Sequence, residues 1–382
     1  MDCVIVGYGR SAIGKAGKGS LASVHPVDFG AQTLRGVLER VPELDPATID
    51  DVVVGCAIPE ATMGLNPARN IVLRAELPDV VAGTTVNRFC SSGLQAIADA
   101  SARISAGMAD VIVAGGVEHM STPVLSDSPE YLDPWLVEHT AAYLPMGVTG
   151  ENVAKRYGMT RTELDELAVQ SNARAAAARE AGWFAPQIVP VTGRTPDGQE
   201  FAFDTDEGIR PGTNLTALAG LKPAFAEDGV LTAATSSQRS DGAGFVVLMS
   251  ADRADALGLR PLARLRGFAV AGVDPAYMGI GPVAAVPKVL AQAGLGIGDL
   301  DVVELNEAFA SQALAVVRDL GLDPELVNPN GGALAMGHPL GATGAILTVK
   351  LLAELERRDR ERGLVTMCVG GGMGAAGIFE RI

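Results

Sequence analysis

Two cysteines, one histidine and one asparagine stand where this chain could do chemistry: Cys90 in NRFCSSG, Cys368 in CVGGGMG, His338 in GHPLGATG and Asn306 in NEAFA. Cys90 comes where a Val/Thr-rich segment, TTVNRF, gives way to a small-residue helix, SSGLQAIADASARISAG. A thiol at a helix start meets unpaired N–H groups and the positive end of the helix dipole, and both favour a thiolate. A nucleophile and a buried structural cysteine fit that placement equally. Cys368 ends the apolar run LVTMCV, and the three glycines after it let a ligand approach the backbone closely. His338 lies in a loop of small residues that gives an imidazole little apolar cover, a suitable setting for a base acting on a thiol. Asn306 follows DVVEL and opens NEAFA, where a helix N-cap is the plain reading, and Glu307 could be only a first-turn charge. Cys3 and Cys56 read as strand-core residues, and His25, His119 and His139 as surface or satisfied-core residues.

The elements that must carry these residues repeat. DDVVVGCA, a helical stretch, TTVNRFC, the helix after it and ADVIVAGG make one series; DLDVVELNEAFA, a helix, ELVNPN, a Gly-rich loop, GATGAILTVKLLAELERR and GLVTMCVGGG make the other. Each series is strand, helix, strand, loop, helix, strand. The strands are short, Val/Ile-rich and continuous, as sheets covered by helices on both faces require. Leu94, Ile97, Ala98, Ser101 and Ile104 share one face of the helix after Cys90. A duplicated α/β fold follows, in which Cys90 and Cys368 take matching places toward the carboxyl ends of strands, where ligands sit in such sheets. We expect one half from 1–118 with 239–258, the other from 259–382, and between them an insertion, 119–238, holding one long helix from Thr162 to Ala181.

Composition narrows the partners. A net charge of −15 over 382 residues with no long basic run excludes a nucleic-acid binder. An anionic ligand needs only local cations, which Lys155, Arg156, Arg174, Arg210 and Lys222 supply. The four cysteines form no CxxC pair and have no histidine at metal-ligand spacing, so no metal is expected, and free thiols suit a reducing compartment. No charged leader precedes the first apolar strand and no apolar run is long enough to span a bilayer, so a cytoplasmic protein is expected.

VNRFCSSGLQAI, NEAFA, GHPLGATG and CVGGGMG together resemble, in order and spacing, the four active-site signatures of the thiolases, and GLNPARN, MGVTGENVAKRYG, LKPAF and SSQRSDGAG support the match along the whole chain. The resemblance implies two βαβαβαββ halves in a layered α/β/α/β/α sandwich with an inserted CoA-binding loop domain. It implies that Cys90 is the acylated nucleophile, attacking the thioester of an acyl-CoA or a 3-ketoacyl-CoA, that His338 takes its proton, and that Cys368 is the acid/base at the α-carbon of acetyl-CoA. His338 and a water held by Asn306 would form one oxyanion hole, and the backbone N–H groups of Cys90 and Gly370 the other. Arg210 would face the nucleotide of CoA, Ser237, Ala308 and Phe309 would flank the pantetheine, and Met146 would border the thioester. Coenzyme A is then substrate and product, with no prosthetic group, and the enzyme a homodimer or homotetramer acting in fatty acid β-oxidation.

Pro145 stands where many acetoacetyl-forming members have histidine, which leans toward longer 3-ketoacyl substrates; Ala234-Thr235 replace a usual Gly-Asn, and Gly150 a usual Ala. The segment 121–144, with Tyr131, Trp135 and Tyr143, is expected to shape the acyl pocket or subunit contacts. An acetoacetyl-CoA-forming thiolase is the alternative within the family. A decarboxylating ketoacyl synthase of the same fold would lack the second cysteine, and a non-catalytic acyl-CoA or lipid-binding subunit would not need Cys90, His338 and Cys368 together.

Overall fold

The computed structural model describes residues 2–126 and 128–382. The Val- and Ile-rich runs form the strands β1 (Cys3–Arg10), β2 (Gly14–Lys15), β3 (Asp51–Gly55), β4 (Ala82–Val86), β5 (Val111–His119), β6 (Val191–Arg194), β7 (Glu200–Phe203), β8 (Ser240–Ser250), β9 (Ala263–Gly272), β10 (Val302–Leu305), β11 (Arg362–Val369) and β12 (Met373–Arg381). Ten of them make one sheet, β10-β11-β12-β9-β1-β8-β5-β3-β4, with β2 beside β8. Its two halves meet only where Ile5 of β1 pairs with Ala263 of β9, so the sheet is close to being two.

Helices α1 (Pro26–Leu38), α2 (Pro67–Arg74) and α3 (Ser92–Ser105) belong to the first half. The inserted stretch supplies α4 (Pro134–His139), α5 (Met146–Arg156), α6 (Arg161–Glu180) and α7 (Leu215–Ala219), and α8 (Ala251–Ala256), α9 (Gly281–Ala293), α10 (Ala310–Leu320), α11 (Ala333–Met336) and α12 (Leu340–Arg358) follow. Phe29 and Leu34 of α1 and Ile71 of α2 cover the outer face of the first half, and Val286 and Val289 of α9 with Val316 of α10 cover that of the second. Between the two sheets lie α3 and α12, whose Leu94, Ile97, Leu347 and Leu351 pack on Val53 and Ile112 from one half and on Val365 and Met367 from the other. This is the five-layer α/β/α/β/α arrangement.

The duplication extends to single hydrogen bonds. Asp50 accepts from the backbone N–H groups of Asp110 and Val111, and Asp301 accepts from those of Glu361 and Arg362, fastening the next parallel strand at the same point of each half. The insertion is docked by Arg10, fully buried, whose guanidinium holds Asp206 in a fork at 2.8 and 2.9 Å and also donates to Gln187. Its long helix starts on a capping box of Thr160 and Glu163, one residue before the expected start.

Three local expectations need correction. The TTVNRF strand stops at Val86, and Cys90 sits in a 3-10 turn, Phe89–Ser91, ahead of α3. ELVNPN contributes one bridge, Val303 with Val327, in place of a strand. Asn306 is not a helix cap: Phe309 holds an extended backbone and α10 begins at Ala310, because Ser236 bridges to Phe309 and Ala310 N–H donates to Thr235. No helix among the described residues is long and apolar enough to cross a membrane.

Candidate active site

The starts of α3 and α12 cross at van der Waals distance because both are lined with glycine. A Cβ on Gly93 would lie 2.8 Å from Ala345 N and 2.9 Å from Gly341 O, and one on Gly344 would lie 2.7 Å from Leu94 Cβ. The crossing brings the turn that carries Cys90 against the start of α12, two residues beyond His338. That turn is strained, since Phe89 has φ +42°, a left-handed value that a bulky side chain rarely adopts. It is held by side chains: Phe89 N–H donates to Asn87 Oδ1 at 2.8 Å, and Ser92 Oγ donates to Phe89 O at 2.7 Å while accepting from Arg88 N–H. The backbone N–H groups of Cys90 and of Gly370 both reach the Cys90 sulfur, and each favours the thiolate. Burial is the larger effect and pushes the thiol up to about 11. The helix start therefore does not by itself supply a standing thiolate, contrary to the sequence expectation, and a base is required.

Cys368 is the penultimate residue of β11 and is buried, with Gly370, Gly371 and Gly372 forming the hairpin to β12. Burial raises its thiol strongly, and the neighbouring Cys90 raises it further, so the two sulfurs share one site. His338 lies in the bend between α11 and α12 after Gly337, whose φ is +107°. Its Nδ1 is 2.6 Å from Thr343 Oγ1, and that hydroxyl already donates to Pro339 O, so the ring N–H must be on Nδ1. Nε2 is left with a lone pair, 3.3 Å from Asn306 Nδ2. Burial holds the imidazole down to about 4, which keeps it neutral at physiological pH. Asn306 is fully buried and its Oδ1 has no protein partner, an acceptor oriented for a water or a ligand.

Comparison with known proteins decides what this arrangement belongs to. The family model for the thiolase N-terminal domain matches residues 3–252 and that for the thiolase C-terminal domain matches residues 259–381. The chain belongs to the thiolase family. It is 50% identical to the 3-ketoacyl-CoA thiolase of Bacillus subtilis over 99% of each chain. It is 45% identical to the acetyl-CoA acetyltransferase of Cupriavidus necator, over 100% of this chain and 99% of that one. The crystal structure of the Bacillus anthracis acetyl-CoA acetyltransferase matches it with a TM-score of 0.92 at 42% identity, covering 100% of this chain and 99% of that chain.

In this thiolase the expected pantetheine residues gather. Ser237 N–H donates to Ala308 O, Phe309 meets Phe225 edge-on at 5.9 Å, and a Cβ on Gly370 would lie 3.9 Å from both Met146 Sδ and the Phe89 ring. Gly150 is explained by the same packing, since a Cβ there would lie 2.8 Å from Leu231 Cδ1 and 3.0 Å from the Phe309 ring. The Arg210 side chain is exposed, and its backbone N–H donates to Asn172 Oδ1. Arg174 is committed to the carbonyls of Pro324 and Val327 and so is no ligand cation.

Three residues gained importance that sequence reading did not give them. Glu307 is no first-turn charge. It is buried, and it accepts from Ser171 Oγ, Asn328 Nδ2 and Leu334 N–H, locking the NEAFA loop to α6 and to α11 before His338. Thr343 sets the tautomer of His338 and was present in GHPLGATG, where the i+5 spacing to His338 was the available signal. Glu118, buried at the end of β5, had no local signal at all. Of the other histidines, His25 caps α1, His119 is buried between Thr122 and Leu21 O, and His139 stacks on Trp135 at the surface.

Proposed function

We propose that this thiolase cleaves a 3-ketoacyl-CoA with coenzyme A into acetyl-CoA and a shortened acyl-CoA, and runs the reverse Claisen condensation, through an acyl-Cys90 intermediate. The chain is an acetyl-CoA C-acyltransferase. The observation that carries the mechanism is the pairing of two non-equivalent thiols beside a neutral imidazole whose Nε2 is unprotonated and faces Asn306 Nδ2 at 3.3 Å. In cleavage His338 Nε2 takes the Cys90 proton and the sulfur attacks the 3-keto carbon, supported by the backbone N–H groups of Cys90 and Gly370. The Cα–Cβ bond then breaks, its electron pair leaves as the enolate of acetyl-CoA, and Cys368 gives its proton to that carbon. His338 and a water on Asn306 stabilise the enolate oxygen, each donor contributing about 3 kcal/mol. The thiol of coenzyme A next gives its proton to the Cys368 thiolate and attacks acyl-Cys90, whose sulfur leaves and regains the proton held by His338, releasing the shortened acyl-CoA. Condensation reverses these steps, with Cys368 removing the α-proton.

The same reading assigns the 119–238 insertion to CoA, with Arg210 at the nucleotide, Ser237, Ala308 and Phe309 along the pantetheine and Met146 at the thioester. The halves 1–118 with 239–258 and 259–382 supply the nucleophile and the acid/base groups. A homodimer or homotetramer is supported by β4, an edge strand with exposed positions, and by the exposed Leu65 and Val80 near it, since an open edge is a pairing surface. Free cysteines support a cytoplasmic setting, and the Bacillus subtilis relative's name supports fatty acid β-oxidation.

A series of 3-ketoacyl-CoAs mixed with coenzyme A, followed by loss of the enolate absorbance, tests the proposal. Turnover that vanishes in Cys90→Ala, His338→Ala and Cys368→Ala is expected. Turnover retained in Cys368→Ala, or absent at every chain length in the wild type, would refute it.

A further inference from the structure

We infer that Glu118 is a positioning residue for this reaction, its carboxylate tying the turn that carries Cys90 to the helix start that follows His338. The inference rests on the roles proposed for those two residues. Glu118 Oε2 accepts from Ala57 N–H and from Gly341 N–H, each at 2.8 Å. Ala57 O in turn accepts from Asn87 Nδ2 at 3.1 Å, and Asn87 Oδ1 holds Phe89 N–H, the residue before Cys90. A continuous polar path therefore runs from the strained turn in one half, through Asn87, Ala57 and Glu118, to Gly341 in the other. Gly341 is 223 residues from Glu118 in sequence.

Sheet stitching does not explain the residue. β3 and β5 already pair through five consecutive residues, Asp51–Gly55, and the bond to Gly341 serves neither strand. The surroundings favour a charged group: Cys56 Sγ–H faces Oε1 at 3.8 Å and Ile58 N–H also donates to the carboxylate, so its neighbours are donors. Burial opposes that charge and pushes the carboxyl up to about 7, and the same charge raises the Cys90 thiol. A buried carboxylate with both costs is suited to a task that the sheet does not need, which is fixing how far the nucleophile stands from its base.

Glu118→Ala and Glu118→Gln separate the parts of the role. An amide oxygen in the Oε2 place keeps both N–H partners and removes the charge, whereas alanine removes both. With acetyl-CoA as acyl donor, acyl-Cys90 formation read by mass spectrometry is expected to slow about 100-fold in Glu118→Ala with KM unchanged, because a misplacement near 1 Å has that effect. Glu118→Gln is expected to retain most of the rate and to alkylate at Cys90 faster than wild type at one fixed pH, a readout that a purely structural role would not move. Should Glu118→Ala not fold, Asn87→Ala breaks the path at its exposed end and is expected to slow acylation in the same way. Wild-type acylation rates in the folded Glu118→Ala or Asn87→Ala variant, or equal losses in Glu118→Ala and Glu118→Gln, would overturn the inference. A wild-type enzyme that forms no acyl-Cys90 would instead remove the reading beneath it.

Discussion

His338 and Cys90 start as a neutral base and a neutral acid, and this choice has consequences in pH. Because burial holds His338 down to about 4, lowering the pH from 7 to 5 leaves its Nε2 lone pair free. Acyl transfer to Cys90 should therefore stay level over that range in a rapid-quench measurement, and a falling limb centred near the ordinary histidine value of about 6.5 would contradict the buried setting. Cys90 is an acid pushed up to about 11, so its thiolate grows as pH rises. Iodoacetamide inactivation should accelerate about tenfold per unit between roughly pH 7 and 9. Thr343→Val, which removes the partner of Nδ1, should lower kcat at least about tenfold with little change in acyl-CoA KM, since general-base catalysis contributes about that much or more. At this scale the sequence offered Cys90, Asn306, His338 and Cys368 as candidates through the order and spacing of four short motifs, since residue type alone left Cys90 and Asn306 open to structural roles. It did not show their protonation, which depends on enclosure by residues far along the chain.

Secondary-structure elements serve the site chiefly by approaching one another closely. Gly344→Ala would force α12 away from Leu94, and overpacking of this kind costs about 1–3 kcal/mol, so a lower denaturant midpoint together with a lower kcat is expected. The amphipathic face of α3, with Leu94, Ile97, Ala98, Ser101 and Ile104 all buried, was legible from spacing alone. The NEAFA segment was not. Its residues favour helix, but pairing of Phe309 with Ser236 keeps the backbone extended until Ala310, and a contact between positions 73 residues apart leaves no trace in local composition. Glu118 was hidden for the same reason, as its partners lie just beyond β3 and on α12.

Across the whole molecule, two similar halves and the long stretch between β5 and β8 pack together. The repeat was visible in sequence as two series of Val-rich runs, and the matched pair Asp50 and Asp301 is its structural counterpart. How the insertion docks was not visible, because Arg10 reads as a strand-end charge until Asp206 is brought to it. Asp206→Ala leaves that guanidinium buried and unpaired, and should destabilise the protein by about 3–5 kcal/mol in chemical denaturation.

The central claim is a division of labour between the two cysteines, and half-reactions separate it most directly. Label exchange between acyl-CoA and free coenzyme A reports acylation alone, while deuterium uptake into the acetyl-CoA methyl group reports proton removal at carbon. Cys368→Ala should keep label exchange and an acyl adduct on Cys90 but lose deuterium uptake, whereas Cys90→Ala should lose label exchange. An acyl adduct found on Cys368, or equal loss of both exchanges in Cys368→Ala, would contradict the account.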